Sequence, residues 1–353
     1  MSMGFSMDDV TLQLQARFGD RLKQGEPMAK HTNFRIGGPA RWFLEVKTEK
    51  ELRDAVMIVR EGDARIVIHG GGSNVLYDDG PINALVLVPA FREIEIEFNA
   101  PEGLGGCRRV GDGEVVQDGW RTLVTAGAGV LSAMLARKTA EAGLAGLTWM
   151  ISLPGTVGGA VRGNAGCFGG ETKDRLVSVR VLKKETGEMV EMTKEELGMS
   201  YRHSVLKEEK GKDWIVLSAT FELEAGDKNA LKAELEETMR KRKASQPQNA
   251  GCAGCIFKNY EIESDDELAR LKTKLDIPDP MLAARRLGAG WIIEELGLKG
   301  FAVGGAKVSE IHGNFLVSDG AEADEIMQLI AVIKTRARDQ LGIQLQEEIQ
   351  FVQ

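Results

Sequence analysis

The sequence predicts an α+β protein of two or three domains, and three observations carry that expectation. The chain has 353 residues, more than one hydrophobic core usually organises. Its apolar positions switch between the helical period and the two-residue period of half-buried strands. Its 42 glycines, well above the usual share of about 7%, gather at the ends of apolar segments.

Taken in order, Met7 to Phe18 reads as a short helix, with Val10, Leu14 and Phe18 on one face and Gly19 ending it. Residues 31 to 46, HTNFRIGGPARWFLEV, begin as a turn through Gly37-Gly38-Pro39 and continue as a strand from Arg41 to Val46. Thr48 and Glu51 form a capping box: the hydroxyl accepts from a first-turn amide and the carboxylate reaches back. The helix they open carries Leu52, Ala55, Val56 and Val59 on one face, and Gly62 stops it. Arg65 to Ile68 reads as a short buried strand. It runs into Gly70-Gly71-Gly72-Ser73-Asn74, where successive small residues expose backbone N–H groups as an anion nest suited to a diphosphate. A glycine-rich hairpin corner is the alternative. The pattern is neither a dinucleotide-binding G-x-G-x-x-G nor a P-loop. Asp78-Asp79-Gly80 is a turn, and Asn83 to Val88 a strand.

Residues 99 to 119 are polar and glycine-rich and read as a surface insertion or long hairpin. Leu123 to Gly127 is a strand, and Leu131 to Ala142 a helix stopped by Gly143. Then comes Leu153 to Gly170, LPGTVGGAVRGNAGCFGG, with seven glycines and one charge, Arg162. Each glycine costs a helix interior about 1 kcal/mol relative to alanine, so an ordinary amphipathic helix is not expected. Leu153, Val157, Val161 and Phe168 anchor the run, so it is not a linker either. Two readings remain: backbone packed against a flat, extended ligand, or a tight crossover between packed strands. Leu176 to Leu182, Glu188 to Met192 and Trp214 to Leu223 follow as strands, making residues 120 to 225 an α+β unit.

Beyond Asn229, Leu231, Leu235 and Met239 mark a helix face, ended by the basic run Arg240 to Lys243, which reads as a solvated C-terminal turn. Ser264 and Glu267 form a second capping box before Leu268, Leu271 and Leu275. Ala321 to Leu341 is the last long helix, and Ile343 to Val352, with Glu347 and Glu348, a final strand. Between them lies Cys252-Ala253-Gly254-Cys255-Ile256-Phe257-Lys258-Asn259. A C-x-x-C here suits a redox pair, half a zinc site, or a lone cysteine acting as an acid beside Lys258 and Asn259. No thioredoxin-like frame and no second ligand pair favours the first two, and no metal is expected.

Bulk properties exclude several classes. The net charge of -8 argues against a general nucleic-acid binder. No apolar run approaches the ~20 residues of a membrane span. MSMGFSMDDV lacks the charged and apolar regions of a secretory signal. Four cysteines in a chain this long are not a disulfide framework, so a cytoplasmic protein with reduced thiols is expected.

The order of motifs is more specific than any one of them. The chain resembles the UDP-N-acetylenolpyruvoylglucosamine reductases (UDP-N-acetylmuramate dehydrogenases) in seven places. They are His31 to Gly38, Gly70 to Leu76, Leu153 to Gly166, Tyr201-Arg202-His203-Ser204, Gly254 to Asn259, Gly305 to Phe315 and Glu348. These occur in the family's order along nearly the whole chain. Tyr201-Arg202-x-Ser204 without a long insertion looks like the type II subgroup. The resemblance implies a two-domain FAD-binding module of the vanillyl-alcohol-oxidase-like (PCMH-type) fold plus a C-terminal α+β substrate-binding domain. The corresponding boundaries are 1–90, 91–226 and 227–353, with the final strand contributing to the active site. It implies FAD as cofactor and NADPH as co-substrate. The expected cofactor contacts are Gly70, Gly71, Gly72, Ser73 and Asn74 at the diphosphate, and Gly155, Thr156, Gly159, Asn164, Ala165 and Gly166 toward the flavin. The expected substrate contacts are Tyr201, Lys258, Asn259, Lys307 and His312. Arg202, Cys255 and Glu348 are the expected catalytic residues. The partners are small molecules only, namely NADPH and UDP-N-acetylglucosamine enolpyruvate, on a monomer without nucleic acid or membrane insertion.

The chain departs from the family pattern at the expected proton donor. Cys255 stands where the family usually has serine, Tyr260 replaces a proline, and Gln350 stands where many members have arginine. A thiol is a workable acid, ordinarily ionising near about 8.5. Two rivals to this reading are a flavin oxidase of another alcohol or lactone, which oxygen consumption without NADPH would reveal, and a catalytically silent flavin sensor.

Overall fold

A computed structural model describes residues 6–99, 108–109, 121–248 and 250–353. The chain folds as two compact units, each assembled from separate stretches of sequence. Unit one is Met1–Glu26, Ala40–Gly71 and Asn83–Arg242; unit two is Pro27–Pro39, Gly72–Ile82 and Lys243–Gln353.

Unit one holds two sheets. The four-stranded one runs Lys23–Pro27, Pro39–Val46, Ile82–Pro89, Arg65–Ile68. The last two strands are parallel. The helix Glu49–Glu61 precedes Arg65–Ile68 and buries Leu52, Ala55, Val56 and Val59. The Thr48 hydroxyl accepts from the Glu51 N–H at 3.2 Å. The Glu51 carboxylate reaches one residue further back than a capping box requires, to the Lys47 N–H at 2.9 Å. Arg65–Ile68 is a strand but not a buried one, because it is the edge of its sheet, and Ile68 is 38% exposed.

The larger sheet is built around the twelve-residue strand Trp214–Ala225. It pairs antiparallel with Leu176–Lys183, with Arg121–Gly127 and with the short Leu144–Ala145. Met189–Thr193 extends one side and Ile94–Asn99 the other. Of the expected insertion at 99–119, only Asn99 and the pair Arg108–Arg109, which lies against Glu97 and Phe98, fall among the described residues. The alternating burial along Trp214–Ala225 places Phe221 and Leu223 in a core with Val124, Trp42 and Val181. Each such side chain contributes about 1.5–3 kcal/mol on burial.

Further sequence expectations need correction. Within Leu153 to Gly170 the chain does form a helix, Val157–Gly163. Gly158 has a packing reason there, since a Cβ on it would stand 3.0 Å from that of Ala128, and Val157, Ala160 and Val161 are buried. The basic run lies inside the helix Lys228–Ser245 and does not end it; Arg240 pairs with Glu237 at 2.7 Å on the exposed face.

Unit two gathers a three-stranded sheet, Ala302–Val303, Ala306–Val308 and Leu316–Ser318, with the helix Ala323–Arg336. That helix buries Ile326, Leu329, Ile330 and Ile333, the spacing of one face. Phe34, Ile36 and Leu76, from the two early segments, share the core. The final segment is less regular than expected. Only Gln350–Val352 is a strand, parallel to Val75–Tyr77, because Glu347 and Glu348 are bonded to a different partner described below. No helix among the described residues is long and apolar enough to cross a membrane.

Candidate active site

In unit one the glycine run that follows the Arg65–Ile68 strand meets the run that opens the helix Val157–Gly163. A Cβ on Gly71 would lie 2.6 Å from the Gly155 Cα, a backbone-on-backbone approach that only glycine allows. Gly70 faces the Thr156 hydroxyl, which a Cβ would approach to 3.1 Å. That hydroxyl does not cap its own helix. The Val157 and Gly158 N–H groups donate to the Val130 and Ala128 carbonyls at 2.9 and 3.0 Å. They are therefore not available to an anion.

The boundary between the units falls inside the first glycine cluster, so Gly72, Ser73 and Asn74 belong to unit two. Asn74 is taken up by the C-terminal segment. Its Nδ2 donates to the Glu348 carbonyl at 3.2 Å, and its own carbonyl accepts from the Gln350 N–H at 3.1 Å.

Arg202 stands at the tip of a tight turn in which Ser200 and His203 exchange both backbone hydrogen bonds at 3.1 Å. Its φ of 53° is uncommon for a residue with a side chain. The guanidinium lies 5.4 Å from the centroid of the Tyr201 ring, and Nη2 donates to the Gly166 carbonyl at 2.6 Å. Asn164, fully buried, uses both ends of its carboxamide within the protein. Nδ2 donates to the Ser200 carbonyl at 2.7 Å and to Glu171 Oε2 at 3.0 Å, and Oδ1 accepts from the Lys173 N–H at 3.0 Å. Nearby, burial raises the Cys167 thiol above its ordinary value, partly offset by the Ser152 hydroxyl at 3.2 Å and the charge of Arg202.

In unit two, Gly254 adopts φ 76° and delivers the chain into an extended segment bonded on two sides. On one side Cys255 pairs with Phe315, and the Ile256 N–H donates to the Asn314 carbonyl at 3.0 Å. On the other the Glu348 N–H donates to the Ile256 carbonyl at 2.7 Å, Phe257 pairs with Glu347, and the Lys258 N–H donates to the Gln346 carbonyl at 2.9 Å. Cys255 and Glu348 therefore lie on adjoining extended chains, flanking Ile256. Asn314, buried, clasps Phe257 at both backbone atoms, accepting from its N–H at 2.9 Å and donating to its carbonyl at 2.8 Å. Sequence reasoning did not single out Asn314, although it lies within the motif Gly305 to Phe315.

Residues 246–352 match the family model described as "UDP-N-acetylenolpyruvoylglucosamine reductase, C-terminal domain", and residues 105–193 match "FAD binding domain". A UDP-N-acetylenolpyruvoylglucosamine reductase of Agathobacter rectalis is 36% identical over 332 residues, covering 94% of each chain. One of Bacillus velezensis is 33% identical over 347 residues, covering 98% of this chain and 99% of its own. The crystal structure of the reductase from Thermus caldophilus aligns with a TM-score of 0.68 at 29% identity, over 94% of this chain and 99% of that one. The chain belongs to the UDP-N-acetylenolpyruvoylglucosamine reductase family.

As a family member it is an FAD-dependent oxidoreductase of α+β fold. The glycine cradle fits that cofactor. It offers close-packed backbone at Gly70, Gly71 and Gly155, a Thr156 hydroxyl that does not cap its helix, and an exposed Gly159 whose Cβ would meet only that hydroxyl, at 3.8 Å. The remaining candidates in unit two differ in how committed they are. Lys258 is half-buried, and its ammonium has no hydrogen-bond or ion-pair partner among the described residues. Asn259 Oδ1 accepts from the Ala289 N–H at 3.2 Å, at the start of the helix Ala289–Glu295. Lys307 is paired with Glu310 at 2.8 Å. His312 accepts from the Asn314 N–H at 3.1 Å through Nδ1, and burial pushes its pKa down, so it is a neutral acceptor that shapes a turn. Tyr260 donates to the Glu267 carboxylate, and its hydroxyl is pushed up to about 12 by burial first and that partner second. Gln350 Nε2 donates to the Glu348 carbonyl at 3.3 Å. Cys252 and Cys255 are not joined in a disulfide, and no cluster of metal-ligating side chains occurs among the described residues.

Proposed function

We propose that this enzyme reduces UDP-N-acetylglucosamine enolpyruvate to UDP-N-acetylmuramate with NADPH, in peptidoglycan precursor synthesis, and that Cys255 is its proton donor. The observation that supports the reading is that the backbone brings the candidate acid and the candidate carboxylate onto adjoining extended segments. Cys255 and Glu348 flank Ile256, with the Glu348 N–H bonded to the Ile256 carbonyl at 2.7 Å.

The Gly70–Ser73 backbone, Gly155, Thr156, Gly159, Ala165 and Gly166 would hold FAD. When bound, that cofactor supplies a two-electron carrier, loaded by NADPH, for delivery of hydride to the enolpyruvyl methylene carbon. As that carbon becomes a methyl, the alkene electron pair moves toward the neighbouring carbon and its carboxylate. Arg202 stabilises this charge with a planar, two-pronged contact. The Cys255 thiol gives its proton to the neighbouring carbon, leaving a thiolate that water reprotonates. Glu348 orients the substrate carboxylate or shares its proton. Lys258, whose ammonium has no partner among the described residues, binds substrate anionic groups; Tyr201 and Asn259 assist, and Lys307 and His312, each engaged within the protein, are the weaker candidates.

The test is anaerobic. The purified protein's flavin colour is bleached with NADPH, and UDP-N-acetylglucosamine enolpyruvate is then added. Return of the colour without oxygen supports both half-reactions. Bleaching without recovery leaves the flavin assignment standing and removes the substrate assignment.

A further inference from the structure

Asn164 was expected among the cofactor contacts, yet its carboxamide is spent on the protein. Its partners share one property: they frame the turn that carries Arg202. Nδ2 holds the Ser200 carbonyl at the start of that turn at 2.7 Å. The same nitrogen holds Glu171 Oε2 at 3.0 Å, and Glu171 also takes the Lys173 ammonium at 2.6 Å. Glu171 pairs in register with Gly166 across the hairpin Gly166–Cys167/Gly170–Glu171. Gly166 is the residue whose carbonyl receives the Arg202 guanidinium at 2.6 Å. The bonds therefore close a ring. Asn164 ties the backbone of the turn, and the hairpin ties the tip of the side chain, to the same small frame. At the far end of the turn the buried Ser204 hydroxyl donates to the Arg162 carbonyl at 2.7 Å, two residues before Asn164.

We infer that Asn164 and Ser204 are positioning residues for Arg202. They fix a turn whose positive φ at Arg202 the chain would not otherwise favour. Asn164 itself sits at φ 42°, a conformation asparagine tolerates better than most residues, so the position suits this side chain on both counts. The buried amide rigidifies the support of a single cation; it does not itself reach the reacting atoms. The inference rests on the role proposed above for Arg202.

The experiment is a double-mutant cycle on the full-length flavoprotein, read by anaerobic stopped flow in each half-reaction separately. Asn164→Ala is expected to slow flavin reoxidation by the enolpyruvyl substrate about 10- to 100-fold, the usual effect of slight misplacement, with flavin reduction by NADPH changed less than about twofold. In an Arg202→Ala background the same substitution is expected to add less than about twofold, because its effect passes through the missing guanidinium. An equal loss in both backgrounds overturns the inference, and so does an equal slowing of both half-reactions. If Asn164→Ala does not accumulate as a flavoprotein, Ser204→Ala, a smaller deletion on the same turn, runs the same cycle with the same two overturning results. If Arg202→Ala alone leaves reoxidation unchanged, the fault lies with the role of Arg202 and not with its support.

Discussion

In unit one the candidate cation sits at the tip of a four-residue turn, and side chains hold that turn: Asn164, Ser204 and Arg202 itself, bonded to the hairpin carbonyl of Gly166. In unit two the candidate acid lies on an extended segment bonded largely through backbone atoms on both edges, by 314–315 and by 346–348, with the Asn314 carboxamide added at Phe257. A turn fixed by side chains depends on their identity. A ladder fixed by peptide groups is indifferent to the side chain it presents. On that ladder the side chain at 255 can change without disturbing the backbone bonds that position it.

The comparison is sharpened most by removing the acid. Cys255→Ala is expected to slow substrate-driven flavin reoxidation by about 10²- to 10⁴-fold, the range of a lost general acid. Cys255→Ser should recover much of it, because the ladder holds either side chain alike; a serine variant as slow as alanine would break the comparison. Arg202→Lys keeps the charge but loses the planar fork, and should cost about 10²- to 10³-fold in the same step. On the ladder side, Asn314→Ala leaves both backbone atoms of Phe257 without their buried partner. Thermal denaturation should show a loss of roughly 1–3 kcal/mol per orphaned group. A pH profile follows from the thiol. If Cys255 is the proton donor proposed above, activity should fall on the alkaline side, and Cys255→Ser should move that fall upward. The smallest effect concerns Tyr260. Its hydroxyl is raised to about 12 in the fold from an ordinary 10. The unfolded chain therefore loses this proton first, and stability declines between those two values. Tyr260→Phe should flatten that window in alkaline melts and, at neutral pH, cost about 1 kcal/mol for the lost hydrogen bond to Glu267.

Much of this was legible in the sequence, because it is local. The helix Met7–Phe18 and the faces of Glu49–Glu61 and Ala323–Arg336 follow from spacing alone. Thr48 and Ser264 mark helix starts for the same reason. In both cases the glutamate reaches the N–H before the cap, at Lys47 and Glu263, which depends on the preceding turn and not on spacing. Contacts between distant segments were not legible. Two glycine runs could each be seen, but not that Gly71 rests on Gly155. Asn314 follows a glycine and looks like a turn residue until Phe257 is placed beside it. Asn164 looks like a ligand contact because a polar side chain in a glycine-rich run has no sequence neighbour to satisfy it; its partners are supplied by a hairpin and by residue 200. The short strand Lys23–Pro27, with no apolar alternation, escaped notice for want of any pattern.

The composition of unit two from three separate segments has a consequence for how the protein is made. Asn74 is bonded to Glu348, 274 positions later, and Val75–Tyr77 pairs with Gln350–Val352. At translation rates of about 5–20 residues per second, the early strand waits roughly 15–55 s for its partner to be synthesised. During that interval Phe34, Ile36 and Leu76 have no core to enter. The nascent chain must carry these apolar side chains exposed, or shielded by a chaperone, until the last residues of the partner strand leave the ribosome.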